Sequence, residues 1–77
     1  MIRVLTGDEP ENITITIDGK LSGESIEPVE VCCIEVLSKG TPVRLYLRDV
    51  SAIDECGRTM LRRVAAAGIN LSVKGIL

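Results

Sequence analysis

Hydrophobic and polar residues alternate in three places along the chain. Ile13, Ile15 and Ile17 interleave with Thr14, Thr16 and Asp18; Val43, Leu45 and Leu47 with Arg44, Tyr46 and Arg48; Ile69, Leu71 and Val73 with Asn70, Ser72 and Lys74. Successive side chains of a strand point to opposite faces, so each run predicts a strand with one buried and one polar face. The predicted spans are 12–18, 43–49 and 69–73, and a short apolar run adds a first strand at 2–5. Between the first two, Gly7-Asp8-Glu9-Pro10-Glu11-Asn12 is dense in turn formers, which predicts an antiparallel hairpin with a longer loop.

Elsewhere the spacing is helical. After a loop at 19–23, Ser25 is a candidate N-cap, and Pro28 suits a first helical turn. Ile26, Val29, Cys33, Val36 and Leu37 then form an apolar stripe; Val31, Cys32 and Ile34 widen it and predict a deeply packed helix. Lys39, Gly40 and Pro42 mark its end. Residues 50–53 read as a turn. Asp54 then N-caps a second helix, with Glu55 reinforcing its positive end. Its expected core stripe is Cys56, Met60, Leu61, Val64 and Ala67, and Gly68 ends it.

The order β-β-α-β-α-β predicts an α/β domain with a small mixed four-stranded sheet, parallel where strands are joined through helices. Parallel strands covered on both sides read as continuous apolar runs. These alternate, so both helices are expected on one face, leaving the other wet or covered by a partner. The polar set on that face is Thr14, Thr16, Arg44, Tyr46, Arg48, Asn70, Ser72 and Lys74.

With 77 residues, the chain holds a single domain of modest stability. Tyr46 is the lone aromatic, so an interface must rest on aliphatic and Arg contacts rather than on Trp and Tyr anchors. Nine basic against eleven acidic residues give a net charge of −2, without the basic patch that nucleic acid requires. No apolar run reaches the ~20 residues of a membrane span, and the N-terminus lacks a signal-peptide core. A cytoplasmic setting is expected. Cys32, Cys33 and Cys56 are an odd set outside any CxxC spacing, which predicts reduced thiols and no metal site. Histidine is absent, which excludes Ser/His/Asp and Cys/His machinery. No carboxylates are paired for acid–base work. A non-enzymatic protein without cofactor is expected.

Residues 13–75 resemble a STAS domain, the fold of bacterial anti-sigma-factor antagonists and sulfate-transporter tails. Ile17-Asp18-Gly19-Lys20-Leu21-Ser22-Gly23 is similar to the family's strand ending in Gly-x-Leu before the first helix. Val43-Arg44-Leu45-Tyr46-Leu47-Arg48-Asp49-Val50 is similar to its central strand. Ile53-Asp54-Glu55-Cys56-Gly57, followed by Met60-Leu61, resembles the Asp-Ser-Ser-Gly loop that opens its second helix. The resemblance implies a signalling module of transcription regulation that docks on a protein. The partner would be an anti-sigma-factor kinase, or a transporter or ATPase component. The implied contact residues are Asp54, Glu55, Cys56, Gly57, Arg58 and Leu61. The family's phosphorylated Ser directly precedes the Gly; here that position is Cys56, so the phospho-switch is expected to be missing. Relatives usually continue past the last strand, whereas this sequence stops at Leu77, which favours a homodimer or a stable partner.

Each candidate has a plainer reading. Asp54 is an N-cap whether or not it docks, and Gly57 either permits a close backbone approach or is a costly Gly in a first turn. Cys56 at a helix N-terminus permits a thiol redox-sensing alternative, using it or the Cys32/Cys33 pair; a buried structural thiol is the simpler expectation, for Cys32 and Cys33 as well. Arg58, Arg62 and Arg63 read as a solvated helix face that could also meet acidic groups or a nucleotide phosphate. Some STAS relatives bind nucleotides, but no Walker or Rossmann loop is present here. A third alternative is a structural homodimer through the open sheet face.

Overall fold

The computed structural model describes residues 2–74. Four strands and two helices follow in the expected order: β1 (Ile2–Asp8), β2 (Ile13–Leu21), α1 (Ile26–Leu37), β3 (Val43–Ile53), α2 (Glu55–Ala66) and β4 (Asn70–Val73), with a short 3-10 turn at Gly23–Ser25 before α1. The strands lie in the order β1-β2-β3-β4. β1 runs antiparallel to β2, while β2, β3 and β4 are parallel.

The alternating residues occupy their expected faces, although Leu71 and Val73, on the edge strand β4, stay exposed because no further element covers them among the described residues. Ile13, Ile15, Ile17, Val43, Leu45 and Leu47 are buried in one core with Ile26, Val29, Cys33 and Val36 of α1 and Met60 and Val64 of α2. On the opposite face Arg44, Arg48, Asn70 and Lys74 are exposed, and Thr14, Thr16, Tyr46 and Ser72 are half-buried. Both helices therefore cover one side of a mixed sheet.

β1, β2 and β3 run longer than the sequence pattern indicated, while β4 begins one residue later than expected. In the hairpin, Gly7 and Asp8 stay paired with Thr14 and Ile13, and the turn is confined to residues 9–12, closed by the Glu9 N–H on the Asn12 carbonyl at 2.9 Å. β2 continues through the supposed loop to Leu21, which is fully buried. β3 continues through the supposed turn to Ile53, paired with Leu21. Two register shifts make this possible, leaving Arg48 and then Ser51 of β3 without a partner in β2. Each extra residue is a bulge that bends its strand, and Gly19 beside them takes φ 109°, where a side chain would be strained.

Two helix expectations are corrected. Ser25 does not cap α1 through its side chain; its hydroxyl donates to the carbonyl of Ser22 at 2.7 Å and accepts from the Ser22 N–H at 3.1 Å, closing the 3-10 turn. Nor is α1 deeply packed: Val31 and Ile34 remain exposed, because a helix resting on one sheet buries one stripe.

Among the described residues, two ion pairs cross between elements. Arg63 grips Glu30 of α1 through Nε and Nη2 at 2.7 and 2.8 Å, and Arg48, freed by the first bulge, grips Asp18 with both its Nε and Nη2. Arg63 is thus tied to α1 rather than simply solvated. Hydrogen bonds from these guanidinium groups hold the Glu30 and Asp18 carboxyls below the usual carboxylate range. A carboxyl lowered in the folded state stabilises above its unfolded value and loses that contribution as pH falls through the folded one. Urea midpoints followed down from neutral pH are therefore expected to decline below about pH 4. Arg63→Ala should decline less steeply; parallel curves would remove this pair from the account.

Candidate functional site

Parallel strands finish at the same edge of a sheet, where ligands and partners of α/β folds are usually met. Leu21 at the end of β2 lies beside Ile53 at the end of β3, so the turn leading into α1 and the start of α2 emerge together. Asp54 joins them. Its Oδ1 accepts the Gly57 N–H at 2.7 Å, which makes it the N-cap of α2, and its Oδ2 accepts the Gly23 N–H at 3.1 Å across the edge. Its own N–H donates to the Leu21 carbonyl at 3.3 Å. One carboxylate thus caps a helix and fastens a second loop to it, and its charge faces the positive end of α2.

Gly57 is buried where α2 crosses the end of β2. A Cβ built there would lie 2.5 Å from the Leu21 carbonyl oxygen and 3.0 Å from Cγ2 of Ile53. The close approach expected of this residue is therefore present. Around this fixed base, Glu55, Cys56 and Arg58 are exposed. Cys56 does not lie on the core stripe, and Ala67 is exposed too: the helix is phased so that Gly57, Met60 and Val64 face the sheet. Leu61 is half-buried one turn further along α2, where it lines a groove with Leu71 and Val73.

The vicinal thiols behave differently. Cys32 is half-buried. Cys33 is fully buried, and its thiol is pushed up to about 12, first by burial and then by Cys32 and Glu30 nearby. At neutral pH it stays protonated, which does not favour a redox role for the pair. Among the described residues, no cluster of His, Cys, Asp or Glu is arranged to hold a metal, and no helix is long and apolar enough to cross a membrane.

No family model matches the sequence, and no curated protein matches it significantly. Solved structures do. An anti-sigma factor antagonist from Mycobacterium paratuberculosis superposes with a TM-score of 0.84 at 16% identity, over 97% of this chain and 69% of that one. The fold is STAS-like. The same STAS-like arrangement matches part of the crystal structure of Mglu, with a TM-score of 0.71 at 22% identity, over 94% of this chain and 19% of that much longer one. At such identities the likeness speaks for the fold, and the STAS-like assignment agrees with the resemblance seen in the three sequence segments.

The bond between Asp54 and Gly23 was not legible in the sequence, since the partners lie far apart along the chain. The only signal for it is the coincidence of a loop glycine after one parallel strand and an acidic N-cap after the next.

Proposed function

We propose that this STAS-like domain is a non-enzymatic regulatory module that docks on a protein partner, in the manner of an anti-sigma-factor antagonist, through the tip of α2. The observation that carries the reading is the double hydrogen bond of Asp54. It makes two loops at one sheet edge into a single surface, from which Glu55, Cys56 and Arg58 project. A pre-set surface loses little conformational freedom on association. Gly57 keeps α2 close enough to β2 for the surface to form, and Leu61 extends it along the helix. The partner is of the anti-sigma-factor kinase type, or a transporter or ATPase component, in a cytoplasmic signalling setting. Cys56 occupies the position before Gly57 that such antagonists use for phosphoserine, so docking here is not released by phosphorylation.

Calorimetric titration against the anti-sigma-factor kinases encoded in the same genome tests both parts. One of them is expected to bind with micromolar or better affinity, and the double variant Glu55→Lys/Arg58→Glu to bind roughly tenfold or more weakly. With ATP, that kinase is expected to transfer the γ-phosphoryl group to C56S and to leave the natural chain unmodified. Failure of every kinase to bind would overturn the docking partner. Phosphate on the natural chain would overturn the missing switch.

A further inference from the structure

Exposed aliphatic side chains gather at two separate places on this molecule. On α1, Val31 and Ile34 are 49% and 46% exposed, one turn apart on the outer side of the helix. Glu27 and Glu35, both exposed, lie one turn before and one turn after Val31 and flank it. The result is a short aliphatic ridge edged by negative charge.

The second place is the sheet edge at β4. Leu71 and Val73 pair in register with Leu45 and Leu47, so they face the helix layer, yet they remain 41% and 45% exposed. With Leu47, Val50, Ile53 and Leu61 they line a groove of about 360 Å³ between α2 and the edge, with Arg48 and Lys74 at its rim. Arg58 lies one turn from Leu61, and Arg62 one turn from Arg58, on the side of α2 away from Arg63 and its Glu30 partner. Arg48 is held by Asp18. Among the described residues, Arg58, Arg62 and Lys74 have no ion-pair partner.

We infer that the β4 groove receives the α1 ridge of a second copy of this chain. Val31 and Ile34 fill the space between Leu61 and the Leu71–Val73 edge, and Glu27 and Glu35 meet Arg58, Arg62 and Lys74. The charges decide the pairing. Ridge against ridge would bring carboxylates together, and groove against groove would bring cations together; only ridge against groove satisfies both. Each copy then carries one half of the contact on each side, so association is head-to-tail and proceeds to a ring or an open chain. The contact is aliphatic with a charged rim and has no aromatic anchor, so it is weak and sensitive to salt. It leaves Asp54, Glu55 and Cys56 uncovered but shares Arg58 and Leu61 with the docking surface proposed above, so the two contacts compete.

Sedimentation velocity over rising protein concentration, in low and high salt, tests this. The natural chain is expected to show species heavier than a monomer at low salt and to lose them at high salt. Ile34→Lys spoils only the ridge and Leu71→Glu only the groove; both positions are exposed, and circular dichroism checks the fold. Each variant alone is expected to stay monomeric, while an equimolar mixture associates, because one intact ridge meets one intact groove. A natural chain that stays monomeric at every concentration would overturn the inference and leave the groove to a different protein. So would a mixture that stays monomeric, or association that survives in either single variant, which would point to another surface such as the open sheet face.

Discussion

Gly57→Ala is expected to lower the stability of this domain by about 1–3 kcal/mol, the usual cost of forcing extra atoms into a packed site. Helix propensity argues the other way, since alanine is the better helix former by about 1 kcal/mol. The geometry decides between them. The new methyl carbon would sit 2.5 Å from the Leu21 carbonyl oxygen, which is backbone fixed within the sheet and cannot swing aside as a side-chain end would. Relief requires α2 to lift from the end of β2, and that movement strains both bonds of Asp54. Gly57→Val should be worse still. For a chain whose total stability is a few kcal/mol by its size, such a loss is readily measured as a lower urea midpoint. A rise in the midpoint of Gly57→Ala would show that the approach of α2 to β2 is looser than described.

Asp54→Ala is expected to cost about 1–2 kcal/mol, in the range for loss of an N-cap. The more informative variant is Asp54→Asn. Asparagine is as good an N-cap as aspartate, and its one side-chain oxygen can still accept from the Gly57 N–H. Its amide nitrogen cannot accept from Gly23, so the tie between the loops is cut while the helix remains capped. Hydrogen exchange separates the two roles. In Asp54→Asn the Gly23 amide should exchange faster and the Gly57 amide should not; in Asp54→Ala both should. If docking depends on the joined surface, Asp54→Asn weakens partner binding with little loss of stability. Asp54→Lys removes the cap and the tie together and puts a cation at the positive end of α2, so it lowers stability along with binding and is a poor test of docking alone.

The sheet and its covered face were legible because period-two alternation is a local property, and Ile13–Ile15–Ile17 and Val43–Leu45–Leu47 express it cleanly. The end of β3 was not. After Leu47 the residues that turn toward the core are Val50 and Ile53, paired with Gly19 and Leu21, and the two bulges space them by three instead of two. That interval belongs to no strand template, so the segment read as a turn. The exposure of Val31 and Ile34 was hidden for a different reason: α1 is apolar on most of its circumference, and only the number of neighbouring layers decides how much of it is buried. The exposure of Cys56 follows from helix phase. The Gly57–Leu21 contact sets that phase, and a glycine carries no hydrophobic signal from which to read it. Asp54 was legible as a cap, because capping is local, but not as a bridge.

The bulges in β3 also separate two design variables. From Ile13 and Val43 to Ile17 and Leu47 the strands keep one register; beyond them, Arg48 and Ser51 are surplus to the ladder, while Leu21 still belongs to the core. Removing Ser51 would shorten the path into α2 and swing the start of that helix, while the pairing from Ile13 to Ile17 with Val43 to Leu47 keeps its register. Where the tip points can therefore drift by insertion or deletion at this rim, a route open to a lineage changing its partner while conserving its interior.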